Sequence, residues 1–312
     1  MTRHYSVLLQ ESIDALNCQS DGIYVDGTLG RGGHSLEIAR RLQTGHLYAF
    51  DLDEQALAES AQRLAEVSDR VTLIRANFAQ MREELNARGV LSVDGVVMDL
   101  GVSSPQFDDG ERGFSYRYGA RLDMRMDQSQ PRSAWNLVNE LDEKELSALL
   151  WKYGEESYSR PIARQIVRAR ALHPIDTTFE LVDVIKKALP AKVLNKKGHP
   201  AKQTFQALRI AVNGELESLE TGLRAAMSLV KPGGRIAVIT FHSLEDRIVK
   251  ETFRQASSVE KTDPRIPLLP SQIRQPDFRL VSRKPILPGE EELAENNRSH
   301  SAKLRVLERI GD

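Results

Sequence analysis

The sequence predicts an α/β fold, a doubly wound parallel sheet that carries a helical insertion. Three observations predict it. Four short apolar runs alternate with helix-patterned stretches before residue 101, and a glycine-rich turn follows the first run. From Ser133 to about Lys187 the strand-like runs stop and only helical spacing continues. Alternating strands and helices specify a parallel sheet, and right-handed crossovers bring the carboxyl ends of its strands to one edge.

Met1 to Gln19 reads as a short lead-in and one helix carrying Ile13 and Leu16. Gly22 to Val25 is apolar enough for a buried strand, Asp26 to Ser35 forms the turn, and Leu36, Ile38, Ala39 and Leu42 have helical spacing. Gly45 ends that helix, with Arg40 and Arg41 in its last turn where the macrodipole favours cations. His46 to Asp51 is a second strand, and Asp53 caps a helix through Leu57, Ala61 and Leu64. Val71 to Ile74 is a third strand, Met81 and Leu85 mark a helix, and Val93 to Leu100 is a fourth strand. Residues 101 to 130 hold turn signals such as Ser103-Ser104-Pro105 and Asp108-Asp109-Gly110. Phe205, Leu208, Val212, Leu216, Leu219, Leu223 and Met227, spaced by three or four, predict one long amphipathic helix. Arg235 to Phe241 is a fifth strand, Leu244 to Gln255 a helix and Ser257 to Pro276 a loop. Leu280 to Leu287 and Ala302 to Ile310 predict two closing strands. The expected division is a sheet domain from 1–130 and 204–312, interrupted by a helical insertion over 131–203.

At 312 residues and 40% hydrophobic content the chain can bury a sizeable core. No uncharged apolar run is long enough to span a bilayer, and the first residues lack the apolar region of a signal peptide, so a cytoplasmic protein is expected. Cys18 is the single cysteine, which excludes an internal disulfide and a thiolate cluster, and the histidines are scattered; no metal site is expected. Net charge is −1, yet Ser157 to Asn213 holds eleven Lys or Arg against three acids, a local +8 that suits a polyanion. Arg160, Arg164 and Arg168 recur every fourth residue on one helix face, and Lys196 and Lys197 follow. They are candidate phosphate contacts, a solvated face being the bland alternative. Nothing in the chain opposes a homodimer.

Chemistry concentrates at the predicted strand ends. Glycines allow positive φ and close backbone approach, and the helix start offers unpaired N–H groups to an electron-rich ligand. Asp51, 19 residues beyond Gly32, can accept hydrogen bonds from ribose hydroxyls, so turn and acid together indicate an adenosine-containing ligand. The spacing G-x-x-G-x-G-G departs from the dinucleotide pattern, no phosphate-loop lysine is present, and Asp99 at the fourth strand's end could face a sulfonium or an amine. These features favour S-adenosylmethionine over a pyrophosphate dinucleotide. Ser103, Ser104, Pro105 and Gln106 look like a relative of the Asp/Asn/Ser-Pro-Pro-aromatic loop of amino-methyltransferases, without its second proline and aromatic. Such a loop holds an exocyclic amine; a plain proline turn is the alternative. His34 can reach the methionine carboxylate or simply start a helix. His242 can touch substrate or cap the next helix.

The segments Asp-Gly-Thr-Leu-Gly-Arg-Gly-Gly-His-Ser (26 to 35), Asp-Leu-Gly-Val-Ser-Ser-Pro-Gln (99 to 106), Glu-Arg-Gly-Phe-Ser (111 to 115), Leu-Asp-Met-Arg-Met-Asp (122 to 127), Thr-Phe-Gln-Ala-Leu-Arg-Ile (204 to 210) and Phe-His-Ser-Leu-Glu-Asp-Arg (241 to 247) are spread along most of the chain. Together they resemble the bacterial ribosomal RNA small-subunit methyltransferase H family, also called MraW. The resemblance implies a class I methyltransferase Rossmann-like sheet with an inserted all-helical domain for RNA recognition. It also implies methyl transfer from S-adenosylmethionine to N4 of a cytidine in 16S rRNA, at the decoding centre of the small ribosomal subunit. It places Gly32, Gly33, His34, Asp51, Phe78, Asp99 and Gln106 at cofactor-binding positions. Ser103 and Ser104 become candidates for positioning the amine, and His242 a candidate for touching substrate. Arg160, Arg164, Arg168, Lys196 and Lys197 become candidate RNA contacts.

Overall fold

The computed structural model describes residues 6–101, 110–259 and 275–311. The chain divides into two compact units, one of residues 1–101 and 216–312, the other of residues 102–215.

In chain order the first unit begins with α1 (Leu9–Leu16), β1 (Ile23–Asp26), α2 (Gly33–Arg41), β2 (His46–Asp51), α3 (Glu54–Arg63), β3 (Val71–Arg75), α4 (Met81–Asn86) and β4 (Val93–Asp99). The second unit supplies α5 (Ala134–Glu140), α6 (Glu143–Gly154), α7 (Ser159–Arg170), α8 (Thr178–Ala188), α9 (Ala191–Leu194) and α10 (Lys202–Asn213). Then follow α11 (Glu215–Leu229), β5 (Val230–Thr240), α12 (Ser243–Ala256), β6 (Phe278–Leu280), α13 (Glu290–Glu295) and β7 (Lys303–Arg309).

The first unit is organised on one seven-stranded sheet of order β3-β2-β1-β4-β5-β7-β6. β1 to β5 run parallel, while β7 lies antiparallel to both β5 and β6. Side chains alternate across the pleat. Val96, Met98, Ile236 and Val238 enter one core with Leu85, Leu223 and Phe253, whereas Val97, Ala237 and Ile239 enter the opposite core with Ile13 and Ile38. Both faces are therefore covered, which is why these strands read as continuous apolar runs. The chain reverses its strand order between β1 and β4, so the carboxyl ends of β1, β2 and β4 open on the crevice where ligands bind in such sheets.

The second unit has its own core, with Leu146, Leu150, Ile162, Ile166, Leu181, Ile185 and Leu208 fully buried. Three capping boxes set its helix starts, Ser133 with Asn136, Asp142 with Glu145 and Thr177 with Glu180.

Three sequence expectations are corrected. The predicted single helix from Phe205 to Met227 is two helices, because Gly214 takes a left-handed conformation (φ 59°) that ends α10. The closing strand expected at Leu280 to Leu287 is instead the short β6, and α13 follows it. The helical unit begins at residue 102 and ends at 215, wider than 131–203. Phe114, Leu122 and Met124 pack into the helical core, and Asn213 accepts the Met126 N–H at 2.8 Å, so the turn-rich segment belongs with the helices.

Candidate functional site

The glycine turn joins β1 to α2 and is held from beneath by Asp26. This carboxylate is buried, accepting the Thr28 N–H at 3.0 Å and the Ser35 hydroxyl at 2.7 Å. The Thr28 hydroxyl in turn accepts the Asp99 N–H at 2.6 Å, tying the ends of β1 and β4 together. Gly30 and Gly32 both have positive φ (51° and 71°), a region other residues enter only with strain. A Cβ on Gly33 would collide with the Ser6 hydroxyl. Gly32 and Gly33 are themselves buried, with Ser60 and Ser6 packed where their side chains would stand.

At the end of β2, Asp51 faces the same turn. One carboxylate oxygen accepts the Gly30 N–H and the other the Asp53 N–H, each at 2.9 Å. Burial raises its pKa to about 6, opposed by those two hydrogen bonds. Each oxygen keeps a second lone pair, so ribose hydroxyls can add to these bonds without displacing them.

Beyond the turn lie His34 and Asp99. His34 is buried on the first turn of α2, and burial lowers its pKa to about 4 against the opposing effect of a hydrogen bond to the Val7 backbone. The ring is neutral at physiological pH, so its 3.8 Å approach to Asp99 is not an ion pair. Asp99 is held well above the usual carboxylate range, first by burial and then by the charges of Asp26, Glu245 and Glu292. Two buried polar atoms here, His34 Nε2 and Asp99 Oδ1, have no hydrogen-bond partner in the described structure. Native interiors rarely leave such atoms unpaired, which makes both candidate contacts for a ligand group or a water. A cation beside Asp99 restores the ionised form that burial and its acidic neighbours disfavour.

Phe78, just past β3, seats its ring against α11, where a Cβ on Gly222 would overlap it; a Cβ on Gly27 would stand 3.2 Å from the Phe78 Cβ. Phe78 is thus wedged between the first glycine of the turn and α11. His242 is engaged as the cap of α12, its Nδ1 accepting the Glu245 N–H at 3.4 Å and its Nε2 lying 3.1 Å from Glu245 Oε1. The capping role is present through Nδ1, while the buried Nε2 has no hydrogen-bond partner in the described structure. Ser103, Ser104 and Gln106 lie outside the described residues.

In the helical unit, Arg160, Arg164 and Arg168 all stand exposed along α7, and Arg164 approaches Glu143 at 3.3 Å. Lys196 and Lys197 are exposed after α9.

A family model described as the MraW methylase family matches residues 1–310. The chain belongs to the MraW methylase family. Three relatives, each called ribosomal RNA small subunit methyltransferase H, match along nearly their whole lengths. The one from Exiguobacterium sibiricum is 55% identical over 310 residues, 99% of each chain. That from Limosilactobacillus fermentum is 52% identical, covering 98% of each, and that from Lactobacillus delbrueckii subsp. bulgaricus 53% identical, covering 99% of each. The class I methyltransferase sheet expected of an MraW methylase is the one observed.

Sequence reasoning missed four residues of this MraW site. Thr28 and Ser35 sat inside the quoted motif without an assigned role, and Glu245 was legible as the fourth residue of a capping box. Glu292 carried no local signal, for it reaches the site from α13 and accepts the Leu8 N–H across 284 positions of sequence.

Proposed function

We propose that this MraW-family chain transfers the methyl group of S-adenosylmethionine to N4 of a cytidine in 16S rRNA of the small ribosomal subunit, at the decoding centre. The observation that carries the reading is the pairing of family membership with the unsatisfied His34 Nε2 and Asp99 Oδ1 beside the glycine turn. The donor set fits the cofactor. Asp51 receives the ribose hydroxyls, Gly32 and Gly33 admit the chain of the methionine moiety, and His34 and Asp99 bind its polar ends. Phe78 and Gln106 complete the cofactor contacts by resemblance. The acidic surroundings of Asp99 favour a positively charged ligand over a pyrophosphate.

S-adenosylmethionine supplies an electrophilic methyl carried on a sulfonium. The protein's own task is orientation. The lone pair of cytosine N4 is delocalised into the ring, so the amine must be held out of conjugation and aimed, and such positioning is worth about 7 to 11 kcal/mol. Ser103 and Ser104 take the amine hydrogens. No strong base is required, because the nitrogen becomes acidic once it is alkylated. The helical unit holds the surrounding RNA through Arg160, Arg164, Arg168, Lys196 and Lys197. The reaction takes place in the cytoplasm, and the chain acts alone or as a homodimer; no described helix is long and apolar enough to cross a membrane.

The test is incubation with labelled S-adenosylmethionine and either naked 16S rRNA or assembled 30S subunits, followed by nucleoside identification. N4-methylcytidine is the expected product. Label in any other nucleoside, or none in either substrate, overturns the reading.

A further inference from the structure

In the helical unit, α6 turns two faces in different directions. Leu146, Leu150 and Gly154 recur every fourth residue and are buried. Lys144, Ala148 and Trp151 occupy a second stripe and line a groove of 760 Å³, whose other wall is the start of α7 with Ser159, Arg160 and Pro161. Trp151 is 63% exposed in it, an unusual setting for the largest apolar side chain.

The chemistry of the lining selects the occupant. Trp151, Pro161 and Ala148 give the groove apolar lining, and Lys144 and Arg160 give it cations. The lining also holds one acid, Glu143, which pairs with Arg164 at 3.3 Å, so the two cations outnumber it. A flat aromatic group joined to an anion matches this set, and an unpaired nucleotide is such a group. A duplex does not match, since its bases have no free face.

We infer that the groove between α6 and α7 is a subsite for one unstacked nucleotide of single-stranded RNA, with its base on Trp151 and its phosphate between Arg160 and Lys144. The inference rests on the RNA-substrate reading and adds to it a contact that grips the strand by stacking.

Tryptophan emission tests it in the full chain, with a hexacytidylate as probe. The other indole, Trp135, donates its N–H to Asp176 at 2.7 Å, and Trp135→Phe isolates the Trp151 signal. The hexanucleotide is expected to quench emission in wild type and in Trp135→Phe. Trp151→Leu, shown folded by unchanged S-adenosylhomocysteine binding, should weaken hexanucleotide binding about 5- to 100-fold. Arg160→Ala should flatten the log–log salt dependence by about 0.7. Unchanged affinity in folded Trp151→Leu overturns the inference, as does equal quenching by a blunt duplex or by oligoglutamate. Wild-type methyl transfer in the absence of quenching removes the groove and leaves the methyltransferase reading standing; quenching without methyl transfer does the reverse.

Discussion

Asp51 shows how a single residue links burial to ligand binding. Its two backbone hydrogen bonds favour the charged form, yet burial wins and raises its pKa to about 6. The folded protein therefore holds a proton on Asp51 at pH values where the unfolded chain has lost it, and stability falls as pH rises from about 4 through 6. A shift of about two units corresponds to roughly 3 kcal/mol. If Asp51 holds the ribose as proposed, cofactor affinity has the opposite slope, because the hydroxyls would donate to the carboxylate and need it ionised. Calorimetry should show S-adenosylmethionine binding weakening up to about tenfold per pH unit below 6. In Asp51→Asn binding should be weaker by about 1.5 to 3 kcal/mol at pH 8 and flat through that range. A wild-type profile without a break near pH 6 would separate Asp51 from the ribose.

Helix α11 performs two jobs at once. Leu219 and Leu223 bury against the sheet, and Gly222 between them leaves room for the Phe78 ring. In an ordinary helix interior, glycine to alanine stabilises by up to about 1 kcal/mol. Here the added methyl meets the ring, and overpacking costs about 1 to 3 kcal/mol. The overpacking decides the sign: Gly222→Ala should lower the midpoint of thermal unfolding and also weaken cofactor binding, by driving Phe78 toward the glycine turn. A raised midpoint with intact affinity would show that Phe78 yields without consequence. Helix α12 combines roles in a similar way, since Glu245 caps it by accepting the His242 N–H at 3.3 Å, and the Phe241 N–H before it at 2.8 Å, while adding negative charge near Asp99.

Across the molecule, acidic groups gather at the sheet's ligand edge and cations in the helical unit. The local +8 overstates the charge available to RNA. Arg170 donates to the Val138 and Leu141 carbonyls, and Arg209 is bound to Glu215 at 2.7 Å. Arg160, Arg164 and Arg168 remain exposed, and the single surface pair of Arg164 with Glu143 is worth about 0 to 1 kcal/mol. Replacing the three arginines by alanine should flatten the salt dependence of single-stranded RNA binding by about 2 in log–log slope, leaving S-adenosylmethionine affinity intact. Filter binding across a salt series measures it, and an unchanged slope would move the RNA-binding face elsewhere.

The parallel strands, the turn at Gly30 to Gly33 and the placing of Asp51 and Asp99 at strand ends were all legible in the sequence. Each follows from local periodicity or from the handedness of strand crossovers, properties that neighbouring residues impose on one another. The family, too, was carried by contiguous motifs. The break at Gly214 was hidden because apolar spacing of three and four runs across it unchanged. Glu292, the seat of Phe78 on Gly222 and the raised pKa of Asp99 depend on groups brought together from distant parts of the chain. Local patterning determines what each segment becomes. Which carboxylates share one low-dielectric pocket, and hence what charge that pocket favours, is decided only when the segments pack.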